Sequence, residues 1–114
     1  MALSEVQTAE VRDLLGEFCD KRVPPDIRGQ LRLGFRISGN KVTLFETRPR
    51  FKHPTEWGEL AVAQFRYNQS RWEWALYWRD QHERWHLYER KRPAKRLETL
   101  LKEVDRDPTG IFWG

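Results

Sequence analysis

An α+β fold, with a largely antiparallel five-strand sheet of hairpins and a helix near each end packed on one face, is what this chain predicts. Three observations point there. Apolar residues recur at helical spacing near both ends, apolar and polar residues alternate between them, and Gly, Asn, Ser and Asp punctuate the alternating stretch at hairpin intervals. A chain of 114 residues suits one domain, residues 1–114, large enough to bury a core without covalent staples.

Ser4 followed by Gln7 has the form of a capping box. Val11, Leu14, Leu15, Phe18 and Cys19 then share one helical face, which predicts a helix over residues 5–22, ended by Val23-Pro24-Pro25. Cys19 is the single cysteine, so no intrachain disulfide forms, and it reads as a small buried hydrophobe.

Leu31, Leu33, Phe35 and Ile37 alternate with Arg32, Gly34 and Arg36, the pattern of a half-buried strand. A two-residue Gly39-Asn40 loop pairs Ile37 with Val42, Phe35 with Leu44, Leu33 with Glu46 and Leu31 with Arg48. Glu46 and Arg48 then fall on the core side, either as rim charges or as a semi-buried polar site. Residues 52–58 read as a connection.

A second hairpin through Gln69-Ser70 pairs Phe65 with Trp74, Ala63 with Leu76 and Ala61 with Trp78, setting small residues against large ones. Continuing through a turn at 80–83 places Trp85 beside Trp78 and Leu87 beside Leu76. The outer face then carries an Arg66, Glu73, Arg90 row, and Arg79 opposes Arg84, a like-charge pair that an anion or a carboxylate such as Glu83 would relieve. Of the six tryptophans, Trp72, Trp74, Trp78 and Trp85 fall on one face, which this register makes the core.

Leu97, Leu100, Leu101 and Val104 predict a second helix over residues 94–105. The bulky ending Ile111-Phe112-Trp113 is expected to dock on its own fold.

Net charge is +4, carried mostly by arginine, the residue suited to planar contact with phosphate. Acidic residues are interspersed, so a binding claim rests on local clustering. Arg90, Lys91, Arg92, Lys95 and Arg96 crowd the expected start of the second helix, opposite to what the macrodipole favours, and suggest an anion site. Arg66, Tyr77, His86 and Tyr88 are expected beside them on the outward sheet face, where rings interleaved with cations suit single-stranded nucleic acid.

Enzyme signals are weak. His82 and His86 do not converge on a strand as metal ligands at that spacing would on a helix. Asp80, Glu89 and Lys91 only loosely match a metal-dependent nuclease. No phosphate loop, nucleophile elbow or zinc-type cysteine pattern occurs, and no cofactor is expected. No apolar stretch is long enough to span a bilayer, and the start lacks the pattern of a signal peptide, so the expected location is cytoplasmic.

The segments Glu46-Thr47-Arg48-Pro49-Arg50-Phe51, Phe65-Arg66-Tyr67, Leu76-Tyr77-Trp78-Arg79, Trp85-His86-Leu87-Tyr88 and the ending Phe112-Trp113-Gly114 resemble a small bacterial family classed as a domain of unknown function. The resemblance spans most of the chain and implies a cytosolic, stand-alone domain, with no activity or catalytic residue to carry over. The leading expectation is a non-catalytic module for nucleic acid or another phosphate-bearing polyanion. The competing one is a protein-interaction or regulatory domain using a sheet edge or the Ile111–Trp113 tail.

Overall fold

Ser4 and Gln7 start the first helix as their spacing implies. The Ser4 Oγ accepts the Gln7 N–H at 3.1 Å and the Gln7 Oε1 accepts the Ser4 N–H at 3.0 Å, satisfying two otherwise free backbone donors. The computed structural model describes residues 2–114. In chain order they form α1 (Glu5–Arg22), a short 3-10 turn (Pro25–Ile27), β1 (Arg32–Ser38), β2 (Lys41–Pro49), β3 (Trp57–Asn68), β4 (Glu73–Arg79), β5 (Trp85–Leu87) and α2 (Leu97–Arg106). The strands make one antiparallel sheet in the order β1-β2-β3-β4-β5.

The β1–β2 hairpin keeps the expected register, with Ile37 opposite Val42, Phe35 opposite Leu44 and Leu33 opposite Glu46. Leu31 lies outside β1, and Arg48 instead opposes Gly58 of β3. Glu46 and Arg48 contact each other at 3.4 Å, with the Arg48 side chain 63 % exposed at the rim and the Glu46 side chain only 15 % exposed, so the acid is semi-buried.

Between β2 and β3 the pairing slips by one at Leu44/Phe45, leaving Val62 as the extra residue of a bulge. Trp57 belongs to β3, so part of the expected connection is strand.

The second hairpin differs from expectation by two residues. Phe65 opposes Leu76 and Tyr67 opposes Trp74, because the loop holds four residues rather than two. The Asn68 side chain explains the wider loop, its Oδ1 accepting the N–H groups of Ser70 at 3.0 Å and Arg71 at 3.2 Å. A two-residue shift preserves which face each side chain takes, so Trp74 and Leu76 remain in the core. Trp72 leaves the sheet, held at φ 53° and 69 % exposed, and does not join the core as its spacing suggested.

β5 slips by one residue, which exchanges its faces. Asp80 is again a side-chain-driven turn, its Oδ1 accepting the N–H groups of His82 and Arg84, with Glu83 at φ 66°. Trp78 therefore opposes His86, and Arg79 opposes Trp85, not Arg84. Trp85 and Leu87 move to the outer face, and His86 to the side of Trp78. The Arg66, Glu73, Arg90 row does not form, since Arg66 opposes Ala75 and Glu73 opposes Asn68. Glu83 does approach Arg79, at 3.3 Å.

α2 begins at Leu97, later than expected, because Ala94 still exchanges backbone hydrogen bonds with Trp74 at the β4 edge. α2 has Glu98 in its first turn and Arg106 in its last, but Arg96 is its N-cap and Glu103, Asp105 and Asp107 lie at its end. The later start moves Arg90, Lys91 and Arg92 away from the helix N-terminus, while the acidic residues at its C-terminus stay as expected.

The core lies between the sheet and both helices. Val11, Leu15 and Cys19 of α1 and Leu97, Leu100, Leu101 and Val104 of α2 meet Val42, Leu44, Phe65, Trp74 and Leu76. Burial, with Asp20 nearby, pushes the Cys19 thiol up to about 11, which makes it a packing residue. The ending folds back as expected. Asp107, in the left-handed region at φ 42°, accepts the N–H groups of Phe112 at 3.1 Å and Trp113 at 2.9 Å, and the Trp113 indole donates to the Val104 carbonyl at 2.8 Å. Among the described residues no helix is long and apolar enough to cross a membrane.

Candidate functional site

Because both helices pack on one face, no element among the described residues covers the other face of the sheet. Alternation assigns Arg32, Gly34 and Arg36 of β1, Thr43 and Phe45 of β2, Trp57, Glu59, Gln64 and Arg66 of β3 and Tyr77 of β4 to it. Its side chains are organised. The Arg36 guanidinium carbon lies 4.5 Å from the Phe45 ring centroid, Arg66 lies 3.9 Å from Tyr77, and Arg32 lies 4.3 Å from Trp57. Each such interaction contributes about 0.5 to 1 kcal/mol at an exposed site, and together they fix three cations over three aromatic rings.

Polar contacts hold all three arginines in place, Arg32 Nε–H donating to the Arg28 carbonyl at 3.1 Å. Arg36 makes a two-pronged pair with Glu59 at 2.6 and 3.0 Å, and that bond holds the Glu59 carboxyl below its usual range. Arg66 donates to Gln64 Oε1 at 2.7 Å, and Gln64, itself buried, donates to Thr43 at 2.9 Å. A guanidinium has five N–H donors, so each keeps donors for a ligand. Gly34 makes the layer possible, because a Cβ there would lie 2.9 Å from Phe45 Cζ. The next row continues the charge, with Lys41 opposite Arg66 and Arg66 opposite Ala75.

Of the residues expected to bind, Arg66 and Tyr77 lie on this face as their alternation implies and touch each other. Tyr88 does not. It is 3 % exposed, its N–H donates to the Leu76 carbonyl, and its hydroxyl donates to Glu103 at 2.7 Å, so it is a core residue. His86 lies on the helix side, stacked on Trp78 with ring centroids 4.6 Å apart. Both corrections follow from the one-residue slip of β5.

The cation cluster is divided. Arg90, Lys91 and Arg92 lie in the segment joining β5 to the Ala94 bridge at the β4 edge. Lys95 and Arg96 instead line a groove of about 590 Å³ between α1, α2 and the β3–β4 hairpin, facing Glu10, Asp13 and Glu98. Arg96 pairs with Glu98 at 2.6 Å. That groove carries mixed charge and is a poor match for a polyanion.

Arg32, Arg36, Phe45 and Trp57 do not stand out in the sequence as binding residues. The first hairpin register already sets Phe45 opposite Gly34, the small-against-large signal that points to the Arg36–Phe45 pair. Trp57 is hidden when 52–58 is read as a connection.

Asp80 and His86 form a second ordered pair, 2.6 Å apart. The Asp80 carboxyl falls to about 2, first because His86 donates to it, then through the Arg84 and His82 N–H groups, with burial opposing. A carboxyl lowered in the folded state stabilises it above the unfolded value and ceases to do so as pH falls through the folded one. The advantage of the wild type over Asp80→Asn in thermal midpoint should therefore be full above pH 3.8 and fade toward a pH of about 2. A difference independent of pH across that window would contradict this. Among the described residues no group of three or more His, Cys, Asp or Glu is placed to hold a metal ion.

A family model described as a domain of unknown function (DUF3024) matches residues 3–114. No curated protein matches the chain. No solved structure matches it either.

Proposed function

The chain belongs to the DUF3024 family, domains of unknown function, and from the helix-free face of its sheet we propose that it is a non-catalytic module binding single-stranded nucleic acid. The observation that carries this reading is the set of three arginine-on-ring pairs, Arg32 on Trp57, Arg36 on Phe45 and Arg66 on Tyr77, on one uncovered surface. A guanidinium over a ring keeps N–H donors for a phosphate, and an arginine beside aromatic rings is a planar group on which a base can stack. Lys41 extends the cationic row, and Arg90, Lys91 and Arg92 border it at the β4 edge.

A duplex offers mainly its grooves and phosphates, and among the described residues no helix stands on this face to enter a groove. An extended single strand suits a flat sheet, its phosphates on arginine and its bases on planar groups.

The test is fluorescence anisotropy with labelled mixed-sequence DNA and RNA oligonucleotides over a range of salt. If the arginines engage about three to five phosphates, log affinity should fall against log salt with a slope of about −2 to −3.5. Absence of binding at low salt, or binding indifferent to salt, would refute the reading.

A further inference from the structure

Phe51 is 98 % exposed, an unusual state for a phenylalanine and one that folding does not require. Its loop nevertheless closes through backbone hydrogen bonds. Arg50 N–H donates to the Glu56 carbonyl at 2.8 Å, His53 N–H to the Arg50 carbonyl at 3.2 Å and Glu56 N–H to the His53 carbonyl at 2.9 Å, closing the turn between β2 and β3. The ring is therefore presented to solvent from a hydrogen-bonded turn. Arg50 and Lys52 flank it in sequence, with His53 next, and all three are exposed.

The loop leaves the sheet at Pro49 and returns at Trp57, which oppose each other, and Arg32 covers the Trp57 ring. Phe51 thus stands at the end of the face where the arginine-covered rings stop. Phe45, Tyr77 and Trp57 each have one side occupied by a guanidinium, whereas Phe51 has both sides open.

We infer that Phe51 is a stacking platform for an unpaired base of single-stranded nucleic acid lying on the sheet face, with Arg50 and Lys52 on the adjoining phosphates. This rests on the reading of the face given above. An anionic bilayer is the weaker occupant, since one ring and a few cations fall short of the paired apolar and basic signals that stable membrane attachment needs. Flanking cations and continuity with the arginine row favour the nucleic acid.

The experiment uses the full chain, Phe51→Ala and Phe51→Trp, with a ten-nucleotide single strand and an abasic strand of the same length. Phe51→Ala should bind the normal strand about tenfold more weakly with an unchanged salt slope, while Phe51→Trp restores affinity. The abasic strand should bind the wild type more weakly and not distinguish Phe51→Ala from it. The side chain is exposed, so the thermal midpoint should not move. Equal affinity of Phe51→Ala and wild type for the normal strand, with wild-type binding intact, overturns the role of Phe51 alone. Absence of wild-type binding to either strand overturns the reading of the face as well. Phosphatidylserine vesicle binding abolished in Phe51→Ala, with strand binding unchanged, assigns the ring to membranes and likewise overturns the inference.

Discussion

Reversing the charge of Arg36 and Arg66 together should lower affinity for a single-stranded oligonucleotide at least about 100-fold at low salt and make the salt slope shallower by about 1.4, or about 0.7 for each phosphate no longer neutralised. Both arginines lie on rings of the uncovered face, so Glu at these positions removes a stacking plane and places a repelling charge beside the phosphates. Arg66 is half-buried and donates to the buried Gln64, so its loss should lower the thermal midpoint modestly, whereas Arg36 contributes little to stability. Arg36 and Glu59 are both well exposed, with side chains 56 % and 42 % accessible, and such pairs contribute about 0 to 1 kcal/mol. The paired substitution Arg36→Ala with Arg66→Ala is the milder control. A thermal midpoint lowered only modestly, with affinity unchanged, would remove the face from consideration.

The largest stability effect outside the apolar core is expected at Asp107. Its carboxylate oxygens accept the Phe112 and Trp113 N–H groups, and its backbone occupies the left-handed region that ends α2. Asp107→Ala removes two charge-assisted acceptors and places a residue there that tolerates this conformation less well. The buried Phe112 ring and the Trp113 indole, bonded to Val104 and covered by Arg22 at 3.9 Å, would lose their anchor. A destabilisation of about 2 to 4 kcal/mol in urea unfolding is expected, with a smaller one for Asp107→Asn. A change under about 0.5 kcal/mol would mean that ring packing holds the ending without the carboxylate.

The parts of the fold that are legible in the sequence are those set by backbone pattern. Ser4 and Gln7 mark the start of α1, period-two alternation marks β1, and Gly39-Asn40 fixes the first hairpin. Side-chain-driven turns are not legible. Asn68 and Asp80 each accept backbone N–H groups across their loops, lengthening one by two residues and shifting the next strand by one. These two turns account for the displacement of Trp72, Trp85, His86 and Tyr88 from their expected places. Trp74 and Trp78 stay on the core side because an even shift leaves the alternation intact. The start of α2 is displaced because Ala94 is held by Trp74 across the sheet, a long-range pairing with no local signature.

For the candidate site the same division applies. Arg66 and Tyr77 are recoverable from the sequence because parity survives the register error. Arg36 and Phe45 follow from a correct register, while Trp57 needs the bulged course of β3. The cations at Arg90–Arg96 are visible as a run, but only the structure separates the edge residues from Lys95 and Arg96 in the mixed-charge groove.

The most direct test is to add a ten-nucleotide single strand to isotope-labelled protein and follow its backbone amide resonances. Shifts should concentrate at Arg32, Arg36, Phe45, Arg66 and Tyr77 and in the loop carrying Phe51, leaving α1 and α2 unmoved. Shifts confined to the groove lined by Glu10, Lys95 and Arg96, or none at all, would contradict a nucleic-acid site on the open face of the sheet.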